Sequence, residues 1–182
     1  MLWIVLAAIA ALALYVIAIY NGLVKNKNLA EEGWSGIETQ LKRRADLIPN
    51  LVETVKGYAG HEKSTLEEVT KLRTDSTHAG SVEARAAIER QISSAIGKIM
   101  AVAEAYPDLK ASANFQSLQS SLAEVEDQIQ LSRRYYNGAV RNLNVMIEQF
   151  PSNLVANQFA FKKADFFEIE DERDRALPQV KF

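Results

Sequence analysis

The sequence predicts an all-α protein, with an N-terminal transmembrane helix followed by an antiparallel bundle of three long helices and one short helix. The first 24 residues carry no charged side chain. Beyond them, apolar residues recur every seven positions, a pattern typical of helices packed side by side. Glycine and proline, which punctuate turns, number only 8 and 4. We therefore divide the chain into a transmembrane helix (1–24), a helical bundle (25–164) and an acidic C-terminal tail (165–182).

The composition excludes several classes of protein and site. The net charge of −2 lacks the basic excess that nucleic-acid-binding proteins usually show. The chain has no cysteine, which excludes disulfides, thiolate metal ligands, cysteine nucleophiles and an acylated cysteine anchor. About 160 residues follow the apolar segment, enough for one domain with its own core.

The apolar segment from Leu2 to Tyr20 has the length of a membrane span. As a helix it is about 29 Å long, close to the thickness of the hydrocarbon core of a bilayer. Trp3 and Tyr20 lie at its two ends, where amphipathic aromatic rings favour the headgroup region. Lys25 and Lys27 follow directly. We expect these four side chains to contact the lipid interface.

A cleaved signal peptide is the alternative interpretation of this segment. No basic residue precedes the apolar run, and the stretch 17–20 (Ile-Ala-Ile-Tyr) is a poor cleavage site, so we expect the segment to be retained. The excess of positive charge after the segment places the bundle in the cytoplasm and the N-terminus outside. The residues that carry this charge are Lys25, Lys27, Lys42, Arg43 and Arg44.

The first long helix of the bundle is predicted from Lys27 to Arg73 and can be continuous with the membrane segment. Pro49 falls inside it, but the seven-residue phase is unchanged on both sides, which indicates a kink and not an end. The two lines that form its buried face are Trp34, Leu41, Ile48, Val55, Glu62 and Val69, and Ile37, Arg44, Leu51, Tyr58, Thr65 and Leu72.

A polar turn, Asp75–Gly80, is predicted to separate the first helix from the second. Ser81 is a suitable N-cap, with Glu83 in the first turn. The second helix runs to about Tyr106, where Pro107 and Asp108 break it. Its predicted buried line is Ile88, Ile92, Ala95, Ile99, Val102 and Tyr106.

The third helix shows the clearest pattern, five heptads on two lines. Pro151 ends it and can open a short fourth helix, Ser152 to Lys163. The acidic tail from Asp165 is predicted to be loosely ordered. The two heptad lines are Phe115, Leu122, Ile129, Tyr136, Leu143 and Phe150, and Leu118, Val125, Ser132, Ala139 and Met146.

No motif of an enzyme or metal site is complete in this sequence. His61 and Glu62 begin like a zinc-protease helix, but Thr65 stands where the second histidine is needed. There is no Glu-x-x-His of a di-iron bundle, no Gly-x-Ser-x-Gly and no phosphate-binding glycine loop. We therefore expect no enzymatic activity, no metal and no cofactor.

Two charged residues, Arg44 and Glu62, occupy positions predicted to be buried. They would be about 27 Å apart on one helix, so each needs a partner from another helix, since an unpaired buried charge is costly. Such a residue can set the register of the bundle or form a recognition site. The partners available on the third helix are Glu124, Glu126, Arg133 and Arg134.

The cluster Lys42-Arg43-Arg44 is interpreted first as a solvated helix face that pairs locally with Asp46 and Glu38. Contact with anionic lipid is the alternative. A straight helix would carry Arg43 about 30 Å beyond the membrane, which is further than the Debye length. Lys25 and Lys27 are therefore the better lipid contacts.

Several stretches together resemble the LemA family. The longest covers 43–58 (RRADLIPNLVETVKGY), and His61-Glu62 follows it at the spacing seen in the family. Ala45 departs from the family, which commonly carries an aromatic residue there. The other matching stretches are 20–24 (YNGLV), 34–37 (WSGI), 103–110 (AEAYPDLK), 114–115 (NF), 134–137 (RYYN) and 150–153 (FPSN).

The resemblance implies a bacterial protein with an N-terminal transmembrane helix and an antiparallel helical bundle, located in the inner membrane. The family has no established biochemical activity and offers no catalytic residues, while some relatives serve membrane organisation, including that of magnetosome membranes. The residues that we regard as candidate partner or register contacts are Arg43, Arg44, Asp46, Asn50, His61 and Glu62.

The function that we expect is that of a membrane-anchored scaffold or adaptor, because a helical bundle with uncovered apolar stripes can hold a partner. That partner is a second copy of the chain or another membrane protein. Two alternatives stay open: a protein that organises or remodels membranes by acting on lipids, and, less favoured, a metal-dependent enzyme.

Overall fold

The computed structural model describes residues 1–58 and 63–168, with the backbone alone for Lys63. In these ranges all regular secondary structure is helical, which confirms the predicted all-α class with a long apolar helix at its N-terminus. The helices are α1 (Leu2–Lys56), α2 (Lys63–Thr77), α3 (Val82–Glu104), α4 (Pro107–Ala111), α5 (Ala113–Glu148) and α6 (Ser152–Gln158).

The described residues divide into two compact units. The first unit contains Met1–Gln40 and Asp127–Phe166. The second unit contains residues 41–58, 63–126 and 167–168.

Helix α1 is 55 residues long and continuous through Pro49, as predicted. Its N-terminal part contains an 18-residue window of mean hydropathy 2.8 that is long and apolar enough to cross a membrane. None of this window is buried, which distinguishes it from the core helix of a soluble protein. The same helix later supplies Leu23, Ile37 and Leu51 to the protein interior, where none of them is exposed to solvent.

The prediction that the first helix of the bundle continues to Arg73 is wrong. Helix α1 ends at Lys56, and a separate helix, α2, begins at Lys63. Glycine follows the end of α1 at 57 and recurs at 60, and each glycine disfavours a helix interior by about 1 kcal/mol. Glu62 and its neighbour His61 lie outside the described residues.

The heptad phase misled because α1 and α2 bury their apolar faces in the same core of the second unit. A repeat that continues across a turn cannot distinguish one long helix from two helices packed on one core. The core residues are Ile48, Leu51, Val52 and Val55 of α1, Leu66, Val69 and Leu72 of α2, Ile92, Ala95, Ile99 and Ala103 of α3, Leu109 of α4, and Phe115 and Leu122 of α5.

Pro49 leaves one carbonyl of α1 without its usual donor, and a side chain of α2 takes its place. In an α-helix the N–H of residue 49 would donate to the carbonyl of Ala45, but proline has no N–H. The Nε of Arg73 donates to that carbonyl instead, at 2.8 Å. On one continuous helix Ala45 and Arg73 would be about 42 Å apart, so the bond requires α2 to fold back along α1.

Helix α3 begins as predicted and buries a slightly different face. The Ser81 side chain accepts a hydrogen bond from the N–H of Ala84, with Glu83 in the first turn. The expected turn from Asp75 starts later, because α2 continues to Thr77. Ile88, Val102 and Tyr106 are only partly buried. The buried residues of α3 are Ala86, Glu89, Ile92, Ala95, Ile99 and Ala103.

In the first unit, α5 carries the predicted buried lines, but Phe150 at their end is 74% exposed, because α5 stops at Glu148. Helix α6 also ends earlier than predicted, at Gln158 and not at Lys163. Ala160 adopts φ 55°, and the N–H of Phe161 donates to the carbonyl of Ala156 at 2.9 Å, which is a Schellman cap. Alanine replaces the usual glycine there, so the sequence carried no stop signal.

The segment after α6 is fixed to α5. The side-chain amide of Asn144 donates to the carbonyl of Ala164 and accepts from its N–H, at 2.9 and 3.0 Å. The hydroxyl of Tyr136 donates to the carbonyl of Asp165 at 2.8 Å, and Phe167 is fully buried. The described start of the predicted acidic tail is therefore packed, while residues 169–182 lie outside the described residues.

Helices α1 and α5 approach each other closely in the first unit at Gly33. A Cβ atom added to Gly33 would lie 2.9 Å from the Cα of Tyr136 and 3.1 Å from the Cδ1 of Tyr135. A backbone atom cannot move aside as the end of a flexible side chain can, so the contact requires glycine. The adjacent ring of Trp34 packs on that of Tyr136, with centroids 5.6 Å apart.

The bond between Arg73 and the carbonyl of Ala45 predicts a specific coupling with Pro49. Arg73→Met should lower the free energy of unfolding by about 1.5–3 kcal/mol, because a partly buried carbonyl loses a charged donor. In a Pro49→Ala background residue 49 regains its N–H, so the same substitution should cost less. Urea unfolding of the four proteins forms a double-mutant cycle, and strictly additive losses would contradict the exchange of donors.

The close approach at Gly33 predicts that Gly33→Ala lowers the free energy of unfolding by about 1–3 kcal/mol, because the two helices must separate. Gly138→Ala on α5 is the matched control, since nothing lies within 4 Å of its added Cβ. The control should be neutral or stabilising by up to about 1 kcal/mol. Equal effects in thermal unfolding would show that the helices do not need glycine at position 33.

Candidate functional site

The most completely built polar site is centred on Arg44, within the second unit. Arg44 is only 1% exposed, and two carboxylates bind its guanidinium. Its Nη2 lies 2.5 Å from Oε2 of Glu89 on α3, and its Nη1 lies 2.7 Å from Oε2 of Glu126 on α5. The same Nη1 donates to the hydroxyl of Ser93 at 2.7 Å, and Nη2 to the carbonyl of Glu89 at 3.3 Å.

Glu89 extends this site to a fourth helix of the unit and to a second arginine. The Glu89 side chain is 3% exposed. Its Oε1 accepts from the hydroxyl of Ser76 on α2 and from Nε of Arg85, one turn earlier on α3, at 3.3 Å. Ser76 is itself buried. Residues of α1, α2, α3 and α5 thus meet at one cluster, which we call the Arg44 cluster.

The charges of the Arg44 cluster cancel. Two arginines, Arg44 and Arg85, face two glutamates, Glu89 and Glu126. The carboxylate groups of both glutamates are thereby engaged in ion pairs within the cluster. Arg44 Nε has no hydrogen-bond partner among the described residues, but it is buried and thus closed to a ligand from solvent. The arrangement fits a structural contact between helices better than a catalytic centre.

The cluster answers part of what the sequence left open about Arg44. Glu126 was one of the partners proposed from α5, and it does bind Arg44. Glu89, the closest partner, was not foreseen, although its spacing of three residues from Ile92 and from Ala86 places it on the buried face of α3. A charged residue in register with buried neighbours is the signal that could have found it.

The other predicted contact residues lie on the surface or outside the description. Arg43 pairs with Glu124 of α5 at 3.1 Å, and both side chains are about half exposed. Asp46 and Asn50 are exposed on α1. Of the four candidate contact residues that the structure describes, Arg44 is therefore the one that lies in a buried site.

Of the predicted lipid-interface residues, Trp3, Lys25 and Lys27 are exposed on α1. Tyr20 differs, because its ring packs against two aromatic rings of the same unit. The centroid of the Tyr20 ring lies 4.8 Å from that of Phe159 and 5.8 Å from that of Phe161. The end of the apolar segment is therefore in contact with the residues that follow α6.

A cleft of about 540 Å³ opens in the first unit between α1, α5 and the segment after α6. Its walls are mostly apolar and aromatic, with two lysines and one glutamate among them. Lys27 and Glu31 form an exposed pair at 3.6 Å, so this charge is largely neutralised at the surface. The principal lining residues are Lys27, Trp34, Tyr136, Phe159, Phe161 and Lys162.

The described residues contain no group of three or more histidine, aspartate or glutamate side chains arranged to hold a metal ion. The only described histidine, His78, directly follows α2. Its Nδ1 lies 2.9 Å from the carbonyl oxygen of Thr74.

The Arg44 cluster predicts a large difference between two neighbouring arginines. Arg44→Ala should lower the free energy of unfolding by about 3–5 kcal/mol, because it leaves Glu89 buried without its closest charge partner. Arg43→Ala is the matched control and should cost less than about 1 kcal/mol, since its pair is exposed. Urea unfolding followed by circular dichroism measures both.

A third variant distinguishes charge compensation from simple packing. Replacing both members together, Arg44→Met with Glu89→Leu, should cost less than Arg44→Ala alone, because no unpaired charge stays buried. If the double replacement is the worst of the three, the cluster acts by its shape and not by its charge balance.

Comparison with known proteins places the chain. A model of the LemA family matches residues 33–182. The magnetosome proteins MamQ 2 and MamQ 1 of Paramagnetospirillum magneticum are each 26% identical to this chain in an alignment 189 residues long. The alignment covers 88% of this chain and 70% of each relative. Protein LemA of Metamycoplasma hominis is 28% identical over 153 residues, covering 83% of this chain and 69% of its own. Because the family model spans most of its length, the chain belongs to the LemA family.

Proposed function

We propose that the protein is a membrane-anchored scaffold that holds a second copy of itself or another membrane protein, without catalysing a reaction. The observation that carries the proposal is that two parts of α1 have different surroundings. Its apolar window is unburied, while Leu23 of the same helix is fully buried against α5 and α6 residues of the first unit. An unbroken helix of this kind joins a membrane span directly to a folded domain.

The internal use of polar groups supports a role without catalysis. The buried charges of the Arg44 cluster are paired with one another, and the described residues hold no metal-binding group. The names of the MamQ relatives assign them to the magnetosome and name no reaction. These observations favour a role in which the protein surface binds a partner.

A shallow apolar groove in the first unit is the surface that we assign to the partner. Leu131 and Tyr135 are 50% and 49% exposed one turn apart on α5. They line a groove of about 410 Å³ together with Gly33 and Gly36 of α1. Exposed apolar surface next to small residues is typical of a protein contact.

The proposed location is the inner membrane of a bacterial cell, with the bundle in the cytoplasm. Two bacterial relatives and the apolar helix support a membrane protein. The lysines directly after the apolar segment, Lys25 and Lys27, are exposed and support the cytoplasmic side by the positive-inside rule.

Thiol crosslinking in native membranes tests the scaffold. The chain has no cysteine, so Leu131→Cys introduces a single thiol into the groove. A bifunctional maleimide should convert this variant to a dimer or to an adduct with another membrane protein. Arg90→Cys, exposed on α3, is the control and should give far less product. If neither variant crosslinks and light scattering in detergent shows a monomer, the scaffold proposal fails.

A further inference from the structure

The length of the apolar segment fixes how much of it must lie in the bilayer. Leu2 to Tyr20 spans about 29 Å as a helix, and a hydrocarbon core is about 30 Å thick. The two lengths therefore match closely. If it crosses the membrane, as the proposed function requires, its last turn lies at the hydrocarbon boundary.

That last turn is not surrounded by lipid alone, because it is packed against the first unit. Val16 and Ile19 pack on its apolar core, and the ring of Tyr20 packs on Phe159 and Phe161. Whatever contacts this turn must lie at the same depth in the membrane. The core residues that Val16 and Ile19 pack against are Leu23, Leu143, Ile147, Val155 and Ala156.

The chain around α6 exposes large apolar side chains within ten residues. Phe150 is 74% exposed, Leu154 60% and Phe159 53%. In water such a cluster is unfavourable, and soluble proteins seldom keep one without a use. At the hydrocarbon boundary the same side chains would be removed from water by lipid.

The charges and the rigidity of this region fit a lipid surface. Lys25 follows the apolar segment and Lys162 follows Phe159, and both are exposed. Lysines attract anionic headgroups. The Schellman cap at Ala160 and the paired hydrogen bonds between Asn144 and Ala164 hold the segment in place. Phe159, next to the capped Ala160, is held beside the ring of Tyr20 and is still 53% exposed.

We infer that α6 and its flanking residues form a second membrane contact, with Phe150, Leu154 and Phe159 inserted among the lipids beside the transmembrane helix. This inference rests on the proposed membrane anchor. It commits to lipid as the occupant, because the surface is continuous with the last turn of the membrane-spanning segment. The contact is interfacial and does not cross the membrane.

Depth measurement on the full chain tests this contact. Single-cysteine variants carry a nitroxide label, and the protein is placed one copy per nanodisc of mixed phosphatidylcholine and phosphatidylglycerol. The label's accessibility to oxygen, which enters lipid, is compared with its accessibility to a water-soluble nickel chelate. One copy per disc excludes protection by a second copy.

The labelled positions form a matched set. Leu154→Cys and Phe150→Cys report the inferred contact, and both sites are exposed, so the label does not disturb the core. Leu131→Cys is the aqueous control, an exposed leucine of the same unit. Leu12→Cys, 63% exposed, lies in the middle of the apolar segment and reports the anchor.

The expected result is a several-fold higher oxygen-to-nickel ratio at positions 150 and 154 than at 131, with the highest ratio at 12. If position 12 lies in lipid but 150 and 154 match 131, the second contact is absent and the anchor stands. If position 12 is itself accessible to nickel, the anchor fails and the inferred contact fails with it.

Discussion

The second unit depends on the burial of one guanidinium group. A buried guanidinium without a partner is costly, so the surrounding helices must supply negative charge within hydrogen-bonding distance of Arg44. Glu89 and Glu126 do so from α3 and α5, and Ser76 of α2 secures Glu89 in turn. Because each bond needs a specific helix position, the cluster permits only one register of the four helices, whereas apolar contacts alone tolerate slippage.

Pro49 shows the same logic applied to the backbone. A proline in the middle of a helix usually marks a weak point, yet here the carbonyl that it frees becomes the acceptor for Arg73 of α2. The defect thereby fixes where the two helices meet. In both places a buried or partly buried polar group needs a hydrogen-bonding partner, and this need specifies which residues of two helices must face each other.

The sequence was sufficient for the fold class, the continuity of α1 through Pro49 and the N-cap at Ser81, because each rests on local chemistry. It was insufficient for the turn after Lys56. Heptads report which face is buried but not whether the chain reverses, so two helices on one core read as one. The early end of α6 was also hidden, since Ala160 adopts a left-handed conformation that usually announces itself as glycine.

The candidate site was predictable in part. The rule that a buried charge needs a partner from another helix led from Arg44 to Glu126, but it could not rank Glu89 first, because distance depends on the three-dimensional packing. The exposed surface around α6 was not predictable either. Phe150 continues a buried heptad line in the sequence, and only the end of α5 at Glu148 turns it outward.

The clamp on the last turn of the apolar segment has a consequence for the choice of membrane. A free transmembrane helix can adapt to a thicker bilayer by drawing flanking residues into it, but Val16, Ile19 and Tyr20 are packed against the rest of the first unit. If the apolar segment crosses a membrane, as proposed, the length of its span is therefore fixed at about 29 Å. Hydrophobic mismatch would then favour thin bilayers or deform thick ones locally, and such a molecule would be sorted by bilayer thickness.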